Sequence, residues 1–289
     1  MHIEARQKLE CALYVVATPI GNLSDITLRA LEVLGAADTI AAEDTRNTRH
    51  LLHHHGISDA RLLALHQHNE RGAAEKIITL LQQGKSVALV TDAGTPAVSD
   101  PGAVLVQAVR EAGFRVIPIP GVSAAVAALS ASGLSAPHFL FYGFLPNKSA
   151  ARRTVLQALA EHSYTLVFYE APHRILECIE DLQAVFGDER DIVFAREITK
   201  LFENIHCCKL GEAMAWLNSD PNNMRGEFVL LVSGAEAREG LDAEAKHTLN
   251  VLLDELPLKQ AVQLAVKITG ANKNELYQRA LELKAEPND

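Results

Sequence analysis

The chain has 289 residues, of which 48% are hydrophobic, and a formal net charge of −9. This length fits two domains of ordinary size, each with a hydrophobic core of its own. No run reaches the roughly eighteen apolar residues of a membrane span, and the N-terminus lacks the features of a signal peptide. The four cysteines form no C-x-x-C pair, so we expect reduced thiols, no metal site and a cytoplasmic location.

Segments of strand and helix character alternate through the first half of the chain. Short apolar runs predict strands at residues 13–17, 39–42, 62–65, 86–91 and 116–119. Longer segments of helical period predict helices at 25–34, 73–83, 103–112 and 122–132. Ser24 or Asp25 is the predicted cap of the first helix. Such alternation is typical of a mainly parallel sheet covered by helices on both faces.

A second cycle of strands and helices begins near Pro137. Its predicted strands are 139–142, 165–169, 191–195 and 228–232, with helices between them. Residues 235–243 are charged and small, which indicates a linker, and short helices follow at 258–268 and 274–283 in helix–turn–helix order. We therefore predict an α/β domain at 12–136, a second α/β domain at 137–235 and a helical module at 244–285.

Three loops rich in glycine, proline and small residues follow predicted strands. They read ATPIGN at 17–22, DAGTP at 92–96 and PGVSA at 120–124. In a parallel sheet, ligands bind beyond the carboxyl ends of the strands, and glycine lets the main chain approach them closely. The loops match neither the phosphate-loop nor the dinucleotide pattern. Each loop alone is equally compatible with a tight strand–helix turn.

Together and in this order, the loops resemble those of the tetrapyrrole-methylase superfamily, whose members hold S-adenosylmethionine between two α/β domains. The third loop has the family's pattern, whereas the first and second depart from the usual Gly-Pro-Gly-Asp and Gly-Asp-Pro. Four further segments resemble the small-subunit ribosomal RNA methyltransferase I branch: AAEDTR at 41–46, SDPG at 99–102, FYEAPHR at 168–174 and REITKLFE at 196–203. The similarity covers about residues 12–235, and the C-terminal helices resemble that branch's appended module.

The resemblance implies an activity and its partners. We expect an S-adenosylmethionine-dependent enzyme, homodimeric, that methylates the ribose 2′-hydroxyl of a cytidine in the decoding region of 16S ribosomal RNA. A net-acidic enzyme gains little from non-specific phosphate attraction, so we expect the assembled small subunit as substrate. Two alternatives stay open. One is a related methylase acting on a small molecule or a protein side chain, and the other is a non-catalytic RNA-binding assembly protein.

The resemblance also implies which residues contact the cofactor. They are Ile20, Ala93, Gly94, Thr95, Val98, Ser123, Ala124, Tyr169, Ala171 and Glu227. Many of these contacts are main-chain in the family, which agrees with the small residue types. The chemistry otherwise needs an in-line approach of the hydroxyl to the sulfonium methyl and a route for the hydroxyl proton.

Charged residues of the same segments are the candidates for catalysis and RNA binding. The catalytic candidates are Glu43, Asp44, Glu170, Arg196 and Lys200, with Asp100 and Glu203 as further acidic groups. The expected RNA contacts are Arg46, Arg174, Lys267, Lys273 and Arg279. Residues 246–284 hold six lysine and arginine residues against four acidic ones, a local basic excess. The alternative is a salt-bridge network framing the cleft, and the sequence does not select the base.

Two features have competing structural interpretations. In the C-terminal module, Leu258, Val262, Leu276 and Leu281 could instead pack the helices onto the core or across a dimer. His50 and His54 have the i, i+4 spacing of helical metal ligands, but no His-Glu-x-x-His motif accompanies them. We expect these histidines to face solvent or RNA and to bind no metal.

Overall fold

The computed structural model describes residues 8–66, 69–134, 137–235 and 243–285. The chain divides into two compact units, Met1–Gly234 and Ala235–Asp289. The predicted boundary between two α/β domains, at residues 136 and 137, falls inside the first unit and stays a prediction. Within the described ranges, no helix is both long and apolar enough to cross a bilayer.

The N-terminal half contains the predicted parallel sheet. Its strands are β1 (Leu13–Val16), β2 (Thr39–Ala42), β3 (Leu62–Ala64), β4 (Val87–Val90) and β5 (Val116–Ile119), in the spatial order β3-β2-β4-β1-β5. Its helices are α1 (Leu28–Ala36), α2 (Thr45–His54), α3 (Glu70–Gln82), α4 (Ala103–Glu111) and α5 (Ala124–Ala131). Parallel strands need crossover connections of this kind. Because β4, β1 and β5 are neighbours, the three glycine-containing loops that follow them lie at one edge of the sheet.

The second sheet differs from the prediction. Its strands are β6 (Phe139–Phe144), β7 (Thr165–Glu170), β8 (Asp191–Arg196), β9 (Asn204–Lys209) and β10 (Phe228–Val232), in the order β6-β7-β10-β8-β9. Only β6 and β7 pair in parallel, and the other three pairs are antiparallel. The second sheet is therefore mainly antiparallel, unlike the first. Strand β9 was not predicted, because its NIHCCK segment lies partly exposed at the sheet edge and lacks an apolar pattern.

Helices cover both sheets, and one helix joins the two halves. The remaining helices of this unit are α6 (Ser149–Leu159), α7 (Ile175–Phe186) and α8 (Leu210–Ser219). Small residues of α5, including Ala125 and Ala128, pack on Val167, Val193 and Val229 of the second sheet. The helix that begins at the third loop is thus buried against the other half of the unit, which brings the ends of the two sheets together.

The start of α1 corrects a smaller prediction. Thr27 caps this helix, since its hydroxyl accepts a hydrogen bond from the Ala30 N–H at 3.1 Å. The predicted caps, Ser24 and Asp25, lie instead in a separate 3-10 turn that Asn22 caps. The helix therefore begins later than predicted, because Ser24 and Asp25 belong to the 3-10 turn and Thr27 is the residue that caps the helix after it.

The C-terminal unit has a core of its own. Its helices are α9 (Ala243–Glu255), α10 (Leu258–Thr269) and α11 (Lys273–Ala285). Leu249, Val262 and Leu276 are fully buried among these helices, and Gly270 ends α10 in the left-handed region with φ 71°. Val262 and Leu276 thus serve this unit's own core. Most of the predicted linker, residues 236–242, lies outside the described residues.

Candidate active site

Direct hydrogen bonds join the three loops at the carboxyl ends of β1, β4 and β5. Thr18 and Gly94 exchange two main-chain bonds, at 2.8 and 3.0 Å, which link the first loop to the second. The Thr95 hydroxyl donates to the Val122 carbonyl at 3.1 Å, which links the second loop to the third. The loops therefore form one continuous surface, and the relative positions of its main-chain groups are set before any ligand binds.

Two positions in this surface require glycine for structural reasons. Gly94 adopts φ +80°, a left-handed conformation that side chains rarely adopt, with Ile20 packed close by. A Cβ on Gly121 would lie 2.8 Å from the Cβ of Ala17, so the third loop can lie against the first only without a side chain there. Pro120, Gly121 and Val122 line an open pocket whose other walls are Asp25, Thr27 and Thr199.

Tyr169, at the end of β7, connects the second sheet to this surface. Its hydroxyl accepts a hydrogen bond from the Ala125 N–H at 3.2 Å, and its ring lies edge-on to Phe141 and Phe144. The Ser123 hydroxyl and the Asp100 carboxylate also interact with the Tyr169 hydroxyl, and burial, more than Asp100, raises its pKa. The predicted contacts Thr95, Ser123, Ala124 and Tyr169 therefore belong to one connected site.

Three carboxylates converge beside the second loop. Glu43 follows β2, Asp92 follows β4, and Asp100 comes from the loop before α4. The Asp92 N–H points at the Glu43 carboxylate at 3.5 Å, and the Asp92 carboxylate accepts from Asn47 at 3.0 Å. Asp100 interacts with Glu43, Asp92 and Thr91. Of these residues, Glu43 was a predicted catalytic candidate, Asp100 was only a further acidic group, and Asp92 was not predicted. All three stand within the motif segments.

This environment perturbs two of the carboxylates. Burial, reinforced by the nearby charges of Glu43 and Asp92, raises the pKa of Asp100 to about 6. Burial also raises the pKa of Glu43, with Asp92 and Asp44 adding to the effect. A carboxylate whose pKa lies near neutral is a better general base than an ordinary one. Asp100 is therefore the carboxylate of this cluster whose pKa best suits proton transfer near neutral pH.

Asp44 has a different task from the predicted one. Its carboxylate caps α2 by accepting from the Arg46 N–H at 2.8 Å, and it also pairs with the Arg46 guanidinium at 2.6 Å. These hydrogen bonds lower the pKa of Asp44 to about 2, which makes it a poor base. We therefore remove Asp44 from the catalytic candidates. The Arg46 side chain stays largely exposed at the helix start, where it can meet a phosphate.

Glu170 and Arg174 also change roles. The Glu170 side chain is fully buried, accepts from the Ala171 N–H at 2.8 Å and lies 3.1 Å from the Arg174 guanidinium. Arg174 in turn donates to the carbonyl of Leu145 at 2.7 Å and to the Asn147 side chain. The pair holds the segment after β6 against the end of β7. Neither group is free for catalysis or for RNA phosphates, so both assignments are withdrawn.

The predicted cations near β8 are partly committed to intramolecular partners. Lys200 bonds to Glu197 at 2.9 Å and to Glu227 at 2.6 Å, so the predicted cofactor residue Glu227 instead pairs with a predicted catalytic residue. Arg196 reaches the Arg225 carbonyl at 3.4 Å, and its buried Nε finds no hydrogen-bond partner among the described residues. This part of the site matches the salt-bridge alternative for Lys200 and leaves Arg196 as a candidate.

The predicted RNA contacts of the C-terminal unit lie on α10 and α11. Lys267 stands in the last turn of α10, and Lys273 opens α11 after the Gly270 turn, with both side chains exposed. Arg279 is half-buried and pairs with Glu282 at 2.9 Å. Within the described residues, no group of three His, Cys, Asp or Glu side chains is placed to hold a metal ion.

Comparison with known proteins agrees with this geometry. The sequence profile of the Tetrapyrrole (Corrin/Porphyrin) Methylases matches residues 12–214. The chain belongs to the tetrapyrrole methylase family. A second profile, the RsmI C-terminal HTH domain, matches residues 239–284. The resemblance that the loop motifs indicated is thus confirmed. As a member of this family, the chain is a methyltransferase.

Relatives and solved structures refine the match. The chain is 55% identical to the ribosomal RNA small subunit methyltransferase I of Escherichia coli O157:H7 over 93% of this chain and 94% of that one. It is 53% identical to the Pseudomonas aeruginosa protein of the same name, over 93% and 96%. A Thermus thermophilus uroporphyrin-III C-methyltransferase, solved with S-adenyl homocysteine, shares the fold with TM-score 0.54 and 18% identity, over 77% of this chain and 97% of that one.

Proposed function

We propose that this protein transfers a methyl group from S-adenosylmethionine to the ribose 2′-hydroxyl of a cytidine in the decoding region of small-subunit ribosomal RNA. The observation that carries the proposal is the identity of 55% and 53%, over nearly the full length of each chain, to relatives named for small-subunit ribosomal RNA. The cytidine and the ribose oxygen come from the resemblance of the motif segments, and the assembled subunit comes from the net charge of −9. A homodimer, a cytoplasmic location and the two-domain division of residues 12–235 belong to the same proposal.

The residues present fit the cofactor. The joined loops offer main-chain groups and small side chains, and Gly94 keeps the approach to them open. Ile20, Ala93, Gly94, Thr95, Val98, Ser123, Ala124, Tyr169 and Ala171 would hold it. When bound, S-adenosylmethionine supplies an electrophilic methyl group on a positively charged sulfur. The cluster of Glu43, Asp92 and Asp100 provides the negative potential that suits such a cation.

Asp100 is the proposed acceptor of the ribose proton. It interacts electrostatically with Glu43 of the first half of the unit and with the Tyr169 hydroxyl of the second. Its raised pKa makes it partly protonated in weak acid and available as a base at neutral pH. Glu43 acts on Asp100 through its charge, since each carboxylate opposes ionisation of the other. Positioning of the hydroxyl supplies the rest of the rate enhancement.

The C-terminal unit is the proposed docking element for the RNA. Lys267 and Lys273 are exposed on either side of one turn, where both can reach phosphates of a single strand or groove edge. Arg279 contributes less, because Glu282 competes for its guanidinium. Arg46, exposed at the start of α2, is the proposed phosphate contact of the larger unit.

The test is methyl transfer to small ribosomal subunits from a strain that lacks the endogenous enzyme. Labelled S-adenosylmethionine should mark the RNA, and resistance of one phosphodiester to alkaline hydrolysis should identify a ribose 2′-O-methyl group on a cytidine. Free ribosomal RNA, ribosomal proteins and a porphyrinogen are the parallel substrates. Label on a protein or porphyrinogen alone would support the related-methylase alternative. RNA binding without cofactor binding would support the assembly-protein alternative.

A further inference from the structure

The loop between β8 and β9, residues 197–203, holds two apolar side chains in solvent. Leu201 is 89% exposed and Phe202 is 68% exposed, the two highest values for large hydrophobic side chains among the described residues. Scattered exposed apolar side chains are normal, but adjacent ones at a loop tip form an apolar patch. We define Leu201 and Phe202 as the loop tip.

The loop is held in one conformation. The Thr199 N–H donates to the Glu203 carboxylate at 2.6 Å, and main-chain bonds join Lys200 to Glu197 and Glu203 to Lys200. Glu197 and Thr199 both have positive φ, at 51° and 65°, which is uncommon for any residue and strained for a β-branched one. The surrounding bonds must overcome that strain. The loop tip is therefore held in place, and little conformational entropy of the loop is lost when a ligand binds to it.

The loop lies directly on the candidate active site. Thr199 lines the same pocket as Pro120, Gly121 and Val122 of the third loop. The Lys200 side chain packs so closely on Gly21 of the first loop that a Cβ at Gly21 would overlap it. A group stacked on the tip would consequently stand next to the cofactor loops, at the mouth of the cleft.

The charges of the loop are already satisfied. Lys200 is shared between Glu197 and Glu227, and the Glu203 carboxylate is used inside the loop. The tip therefore offers an aromatic face and an aliphatic side chain rather than a cation for phosphate. In an RNA substrate, the matching chemistry is the flat face of an unpaired base, which stacks on aromatic side chains.

We propose that Leu201 and Phe202 form a stacking platform for an unpaired base of the RNA substrate, at or next to the nucleotide whose ribose is methylated. The proposal rests on the proposed function and adds a substrate-positioning surface to it. Sequence-specific recognition of RNA mostly targets unpaired nucleotides, whose bases can leave the stack and lie on aromatic side chains. A ready-made aromatic face replaces part of the stacking that is lost, and it selects substrates whose target region is already unpaired.

The test compares Phe202→Ala and Phe202→Trp with the wild-type chain on the same small subunits. Phe202→Ala should weaken subunit binding and raise KM by about 10- to 100-fold, the range expected for one stacked base. Phe202→Trp should restore both values. The slope of binding against salt concentration should not change, because no charge is removed. Phe139→Ala is the matched control and should leave KM unchanged. Phe139 is an exposed aromatic residue at the first position of β6, at the other end of the strand from Phe144, which contacts Tyr169.

Calorimetry with S-adenosylmethionine and sedimentation of each variant distinguish lost base stacking from a damaged cofactor site and from a broken contact between copies. Unchanged cofactor affinity and oligomeric state, together with the higher KM, support the stacking platform. Three results would overturn it: a normal KM in Phe202→Ala, a loss of cofactor affinity that accounts for the defect, or a smaller oligomer, which would make the tip a contact between copies. If the wild-type chain itself leaves the subunits unmethylated, the proposed function fails before the variants are compared.

Discussion

Asp100→Asn is the most direct test of the active-site geometry. The substitution keeps the shape of the side chain and removes its ability to accept a proton. If Asp100 is the general base, kcat should fall by about 10²–10⁴-fold with cofactor affinity nearly unchanged. Asp59→Asn, which changes an exposed carboxylate on a surface loop, is the matched control and should have wild-type kcat.

The dependence of kcat on pH tests the same role of Asp100, and its size follows from the pKa. With a pKa of about 6, Asp100 is about one-tenth ionised at pH 5 and almost fully ionised at pH 7.5. The wild-type kcat should therefore rise about tenfold over that interval if chemistry limits the rate. Asp100→Asn should show no such limb. Glu43→Gln should move it to lower pH, because the neighbouring negative charge that raises the pKa of Asp100 is gone.

The ionisation of Asp100 should lower the stability of the folded chain as pH rises, whereas it should raise kcat. The pKa of Asp100 is raised in the folded chain from a reference value of 3.8 to about 6. Its contribution to stability is therefore fully present below the reference value and is lost as pH rises through about 6. Asp100→Asn should raise Tm relative to wild type at pH 7.5, and this difference should vanish near pH 3.5. A variant with normal kcat and an unchanged acidic limb would refute the assignment of Asp100 as the base.

Three further predictions test other parts of the molecule. Gly94→Val should lose at least about tenfold in S-adenosylmethionine affinity. A conformation at φ +80° costs an L-residue about 1–2 kcal/mol and more when it is β-branched, so the second loop should relax away from the conformation in which its main chain bonds to Thr18 and faces the cofactor. Calorimetry on protein with a native circular dichroism spectrum measures the affinity, and a wild-type value would contradict the prediction. Asp181→Asn should lower the free energy of unfolding by about 3–5 kcal/mol in urea titrations, since it removes the buried carboxylate 2.6 Å from the fully buried Arg152 and leaves only the exposed Glu177, 3.7 Å away, as its charge partner. A loss below about 1 kcal/mol would show that Glu177 compensates. Replacing Lys267, Lys273 and Arg279 by alanine should reduce the log–log salt slope of subunit binding by about 0.7–0.9 per lost contact; Lys76→Ala is the control, and an unchanged slope would mean that these side chains face solvent in the complex.

Much of the fold could be predicted from local sequence patterns. Strand β5 and strand β10 have the predicted bounds, because each is a short run of apolar residues between turn-forming segments. The position of the three loops followed from topology, since the carboxyl ends of parallel strands share one edge. In contrast, β9 was missed, because an exposed edge strand needs no apolar pattern. The antiparallel order of the second sheet was missed as well, because pairing between distant strands leaves no local signal.

The candidate site also has features that the sequence predicts and features that only the folded structure shows. The sequence by itself determined the loop motifs, the family and the acidic residue types, all of which are readable over a few consecutive positions. Only the tertiary structure decided which acid can act, since Asp44 caps its own helix and Glu170 turns into the core toward Arg174. Asp100, by contrast, comes to lie beside Glu43, which is distant in the chain. The physical reason is that the pKa of a carboxylate depends on burial and on charges brought near by folding, and neither is a property of the residue or its sequence neighbours.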